Sequence, residues 1–91
     1  MLLAEFLRRA DASGVRRNAY RIGGGRDEAY CLEREGASWI VFFQERGHRT
    51  AEESHPTREE ALDDLWSRLE RDPTTRQAPG GGPSSPSRIR E

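Results

Sequence analysis

The stretch Ser38-Trp39-Ile40-Val41-Phe42-Phe43-Gln44 constrains this chain more than any other feature. Alternation puts Trp39, Val41 and Phe43 on one face of a strand and Ile40 and Phe42 on the other, so both faces are apolar. A strand that needs cover on both sides belongs inside a sheet, not at its edge. Little else in the chain can supply that cover, because 33% of its 91 residues are apolar and 34% are charged. The length suits one domain with a thin core. The single cysteine, Cys31, rules out an internal disulfide framework.

The flanking segments fit the same reading. Tyr20 and Ile22 form a short alternating segment ended by Gly23, Gly24 and Gly25, and Tyr30 and Leu32 share one face of a second segment whose other face carries Cys31 and Glu33. Glu35-Gly36-Ala37-Ser38 supplies a turn into the apolar run, and Gly47 ends that run. The charged stretch His48 to Glu53 reads as an edge strand whose charges discourage pairing with a second molecule, or else as a loop.

Two helices enclose these strands. Leu3, Phe6, Leu7 and Ala10 recur at helical spacing, and Ser13-Gly14 stops the helix, with Val15 placed to fold back against it. At the other end, Thr57-Arg58-Glu59-Glu60 matches a capping box and opens a helix with the stripe Ala61, Leu62, Leu65, Trp66 and Leu69. The expected fold is therefore α+β, a small antiparallel sheet of three or four strands flanked by an N-terminal and a C-terminal helix. Residues 1–72 make a single domain. Residues 73–91, in which ten of nineteen are Pro, Gly or Ser, read as a disordered tail that buries nothing.

Charge narrows the range of functions. All fifteen basic residues are arginines, and residues 1–72 hold twelve of them against fifteen acids, a balance of 12 − 15 = −3. A nucleic-acid binder concentrates positive charge in its folded part, so this balance argues against such a partner. The alternative of a regulatory or nucleic-acid-binding module rests on Arg8, Arg9, Arg16, Arg17 and Arg21. No run approaches the ~18 apolar residues of a membrane span, which predicts a cytoplasmic protein with no membrane partner.

Catalytic patterns are sparse. Cys31, His48 and His55 lack metal-ligand spacing, so no metal is expected, and no cofactor motif stands out. Gly23-Gly24-Gly25 runs into Arg26, Asp27 and Glu28, where a phosphate loop would open a helix through Gly-Lys-Ser/Thr. Cys31 lies mid-strand with no paired histidine base, and the expectation is that the protein is not an enzyme.

Two surfaces stand out as contact candidates. The outward side of the second helix carries Glu60, Asp63 and Asp64, with like charges at the repulsive four-residue spacing. The tip Glu45-Arg46-Gly47-His48-Arg49 gathers charge between two strands, where loop residues often make contacts. Arg46 and Arg49 are the candidate anchors.

The run Ala29-Tyr30-Cys31-Leu32-Glu33-Arg34, then Trp39 with its apolar strand, Glu45-Arg46-Gly47 with Arg49, and Thr57-Arg58-Glu59-Glu60-Ala61 opening a Leu-rich helix, resembles small bacterial proteins encoded beside polymorphic secreted toxins. These are immunity proteins, chiefly actinobacterial. Ala19-Tyr20 followed by Ile22-Gly23-Gly24 fits the same pattern. The resemblance covers residues 1–72 and departs at Ser54-His55-Pro56, where an apolar residue is expected before the capping threonine. It implies a non-catalytic protein that occludes the active site of a cognate toxin, of the NAD-degrading glycohydrolase kind. It implies no site residues. A domain this small also gains stability by pairing, which leaves room for a weak homodimer.

Overall fold

The doubly apolar run becomes β3 (Ser38–Glu45), an inner strand of a four-stranded sheet in a computed structural model that describes residues 1–76. The sheet order is β1 (Tyr20–Ile22), β2 (Ala29–Glu35), β3 and β4 (His48–His55), with helix α1 (Leu3–Ala12) before it and α2 (Arg58–Arg71) after it. The α+β class with flanking helices is thus as the periodicity predicts. The sheet is mixed, not antiparallel: β1 runs parallel to β2, in the register Tyr20 to Tyr30 and Ile22 to Leu32. Parallel neighbours usually need a crossover of a dozen residues. A strand of three residues is only ~10 Å long, and six extended residues span up to ~20 Å, so residues 23–28 suffice for the return. Gly23 N–H donates to Leu32 O at 2.8 Å and fixes the start of that return.

Both helices pack on one face of the sheet. Phe6 and Ala10 from α1, Leu32 and Val41 from the strands, and Ala61, Leu62, Leu65, Trp66 and Leu69 from α2 form one buried cluster. Leu7 lies at the margin of its stripe and stays 44% exposed, unlike the expectation that it faces the core. Phe6 sits at the centre, with the rings of Tyr20 and Trp66 edge-on at 5.2 and 6.0 Å. The α1 C-terminus closes as a Schellman motif: Val15 N–H donates to Ala10 O, Gly14 N–H donates to Asp11 O, and Gly14 has a φ of +73°. Val15 is buried there, as the sequence suggests.

The opposite face carries a second, smaller cluster of Ala29, Cys31 and Phe42, with Ile40 at its edge. Its cover is polar. The Arg49 guanidinium lies 4.2 Å from the Phe42 ring centroid, and the loop before β2 brings the Arg26 carbonyl to 3.7 Å from Cys31 Sγ. Long polar side chains can shield apolar surface with their stems and planar heads, so this face needs no helix.

The chain stays packed beyond residue 72, contrary to the expected end of the domain. Pro73–Thr75 forms a 3-10 turn, Thr75 is buried with its hydroxyl donating to Leu69 O at 3.0 Å, and Arg76 pairs with Val15 in an isolated bridge. Apolar residues are not what anchors this segment. Asp72 does so by accepting from Thr74 N at 3.0 Å and Thr74 Oγ1 at 2.6 Å. The rest of the tail, residues 77–91, lies outside the described residues.

At the β3–β4 hairpin, Arg46 and Gly47 have φ of +53° and +78°, the two left-handed positions of a type I′ turn. Arginine is a poor occupant of the first position, where asparagine is preferred. Arg46→Asn should therefore raise stability by about 0.5–1 kcal/mol, read as a higher urea midpoint; a lowered midpoint contradicts this turn geometry.

Candidate functional site

The positions of the charged residues follow from one irregularity. Between Val41 and Phe43 the β3–β4 register slips, so Ala51 and Glu52 together face the single residue Phe42, with Ala51 at a φ of +54°. Counting back from the Glu45–His48 pair, an unbroken ladder would set Glu53 opposite Ile40 on the helix-free face. The bulge sets it opposite Val41 instead, and His55 opposite Trp39, on the face that α2 covers. It also kinks an exposed edge, which with the charges of β4 weakens edge-to-edge pairing between copies.

A cleft consequently runs between β4 and α2. One part of about 540 Å³ is lined by Glu53, His55, Glu60, Asp63, Asp64 and Arg71. A neighbouring part of about 590 Å³ continues past Glu52, Glu53 and Arg71 to Arg68, Tyr30 and Asp72. Glu53, Glu60 and Asp63 are exposed along its acidic end. Glu59 and Glu60 stand in the first turn of α2, where the helix dipole favours acids. Thr57 Oγ1 accepts from Glu60 N–H at 3.1 Å, the threonine half of the expected capping box.

The predicted contact residues separate into two groups. Glu60 and Asp63 are exposed, Asp63 forming an ion pair with the Met1 ammonium at 3.0 Å while 62% of its side chain faces solvent. Asp64 does not point outward as expected. It is 17% exposed and holds the cleft floor, with its oxygens 2.8 Å from His55 Nε2 and 2.9 Å from Arg68 Nε. Burial acts to raise the Asp64 carboxyl, but the hydrogen bonds from Arg68 and His55 together with their charges outweigh it and hold it below the usual carboxylate range.

At the other end of the sheet, Glu45, Arg46 and His48 are exposed on the hairpin. Arg49 is not free beside them. It lies over Phe42, pairing with Glu33 at 3.2 Å and with Glu35, whose hydrogen bond holds the guanidinium above its usual range. Arg49 therefore seals the second cluster instead of presenting an anchor. Asp27 secures the tip from below by accepting from Gln44 Nε2 at 2.7 Å and Gly47 N–H at 2.9 Å, bonds that lower its carboxyl.

Sequence reasoning missed the His55–Asp64–Arg68 chain and the Tyr30–Asp72 bond. Asp64 and Arg68 stand four residues apart, a readable helical pairing, but the approach of His55 depends on the bulge. Tyr30 Oη donates to Asp72 Oδ2 at 2.8 Å; burial, then that bond, pushes the phenol up to about 12, while bonds from Thr74 and Tyr30 lower the Asp72 carboxyl. Cys31 is fully buried and its thiol is raised by that burial, the environment of an inert core thiol. Among the described residues no group of three or more metal-binding side chains converges, and no helix is long and apolar enough to cross a membrane.

The lowered carboxyls imply an acid-side transition. Folded values below the unfolded value near ~4 contribute stability that is present above that value and lost as pH falls through the folded values. The urea midpoint should decline as pH drops from about 5 towards about 2, and Asp64→Asn should make that decline shallower; an equally steep decline in the variant contradicts the role given to Asp64.

Comparison with protein-family models, with curated proteins and with solved structures finds no match.

Proposed function

We propose that this chain is a non-catalytic binding protein, an immunity protein that neutralises a secreted bacterial toxin by lying across the toxin's active site. The observation that carries this reading is the acidic rim of the β4–α2 cleft, where Glu53, Glu60 and Asp63 stand exposed while Asp64 is consumed as a structural partner. Among the described residues Glu53 and Glu60 form no ion pair, and Asp63, though paired with the Met1 ammonium, keeps 62% of its side chain in solvent. A toxin that degrades an anionic dinucleotide such as NAD must hold it in a cationic cleft, and an acidic flank is complementary to such a cleft.

Charge of this kind speeds encounter and selects the partner, while anchoring needs side chains that desolvate on contact. An interface of ordinary size buries ~800 Å² per partner, an area a domain of this length can supply. The protein would act in the cytoplasm of the producing cell, where an incoming toxin meets its substrate. The hairpin residues Glu45, Arg46 and His48 are left as rim contacts, and the arginines of the N-terminal segment make a poorer nucleic-acid surface, since Arg9 is paired with Glu5 at 2.8 Å. Co-expression with the product of the adjacent reading frame tests the reading. Growth of cells otherwise arrested by that product supports it, and arrest that persists at full expression of the folded protein overturns it.

A further inference from the structure

Past the Tyr30 and Asp72 end of the β4–α2 cleft, a hollow of about 410 Å³ opens where the segment after α1, the β1–β2 loop and the turn after α2 meet. Its volume lies in the ~300–1,000 Å³ range of small-molecule sites. Tyr30 and Phe43 contribute an aromatic wall, their ring centroids 4.8 Å apart and tilted by 58°. Arg16 and Arg26 stand at the sides.

The wall carries two arginines, Arg16 and Arg26, and three carboxylates, Asp27, Glu28 and Asp72. Among the described residues no ion pair joins any of these five groups, although the Arg16 charge contributes to lowering the Asp72 carboxyl. Arg16 donates once to Asn18 Oδ1 at 2.7 Å and once to Thr74 O at 2.8 Å; Arg26 donates only to Arg17 O, at 3.4 Å. A guanidinium has five N–H donors, so each keeps donors in reserve. Asp27 accepts from Gln44 and Gly47, and Asp72 from Tyr30 and Thr74; these neutral donors occupy carboxylate oxygens but leave both charges in place. Glu28, held at a φ of +62°, makes no such side-chain bond among the described residues, so its oxygens are the ones free to turn toward a guest, and the two guanidinium forks must outweigh the three carboxylates.

We infer that this hollow binds a small organic anion built from a flat ring and a phosphate or carboxylate, the ring against Tyr30 and Phe43 and the anionic group between Arg16 and Arg26. The guanidinium fork is matched to both oxyanions, and its planar face tolerates an aromatic neighbour. The binding would be separate from toxin recognition, since the acidic end of the β4–α2 cleft shares no residue with the hollow.

Amide chemical shifts of the full chain titrated with adenosine monophosphate, benzoate and inorganic phosphate test the proposal. The expected result is saturable shifts confined to residues 16–19, 26–30, 43 and 72–75, with a Kd of about 1 mM or tighter for one or both ring-bearing probes and weaker binding of inorganic phosphate. Which ring-bearing probe binds tells phosphate from carboxylate. Arg26→Gln, whose side chain makes one long bond, should weaken binding about tenfold without disturbing the fold, and Arg16→Gln should do the same if its melting curve is unchanged. Glu28→Gln should tighten it. Failure of both ring-bearing probes to saturate, shifts scattered over all the arginine-bearing surfaces, inorganic phosphate binding as tightly as either, or affinity unmoved in Arg26→Gln would each overturn the proposal.

Discussion

Phe6→Ala should lower unfolding free energy by about 3–5 kcal/mol, the cost of a large cavity where a buried ring has been removed. A domain of this size has about 4–10 kcal/mol in all, so the variant should be largely unfolded in mild urea. The reason is positional: Phe6 is fully buried and its ring touches Tyr20 at the start of β1 and Trp66 on α2, so it joins the two helices to β1. Few other large side chains can close the gap, because the core is drawn from a chain that is 33% apolar. Leu7→Ala is the control, with an expected loss below about 1 kcal/mol because the residue already meets solvent. Urea unfolding followed by circular dichroism reads both. Equal losses in the two variants would show that α1 does not dock through Phe6.

The second large effect concerns binding. Neutralising the acidic rim in the triple variant Glu53→Gln, Glu60→Gln and Asp63→Asn should weaken toxin binding by about tenfold to a hundredfold, mostly by slowing association. Stability should change little, since repulsion between like charges on α2 falls while the exposed Met1–Asp63 ion pair is lost, and Asp64, the structural carboxylate, is kept. The asymmetry is diagnostic. Asp64→Asn should perturb folding through His55 and Arg68, which would lose a charged partner at 17% exposure. Unchanged affinity in the triple variant, with wild-type binding intact, would move the interface elsewhere on the protein and leave the immunity reading standing.

How far the sequence discloses this molecule depends on whether a feature is local. The stripe of α2, its Thr57 cap and the Gly14 stop are local and are readable from spacing alone. The inner position of β3 follows from its doubly apolar pattern. Strand direction carries no local signature, and a run of glycines reads equally as a hairpin or as the short return that makes β1 parallel. The fate of Asp64 and Arg49 was hidden for a related reason. Their residue types suggest surface charge, but Asp64 meets His55 only because a bulge at Ala51 turns the end of β4 by one residue. The same turn brings Glu53 into the acidic rim, a residue that helix periodicity on α2 could not have included. Thr75, buried through hydrogen bonds in a segment with almost no apolar residues, escapes any reading that equates burial with hydrophobicity.

The central claim is that the acidic rim binds and blocks a cationic partner without turning anything over. Titrating the purified chain into a fixed amount of the proposed cognate toxin, made from the adjacent reading frame, with NAD consumption as the readout at low and high salt, measures it directly. Activity should fall linearly to zero at one equivalent, and the inhibition should weaken as salt rises. Full toxin activity with the chain in excess, or inhibition by far less than one equivalent, would contradict the claim.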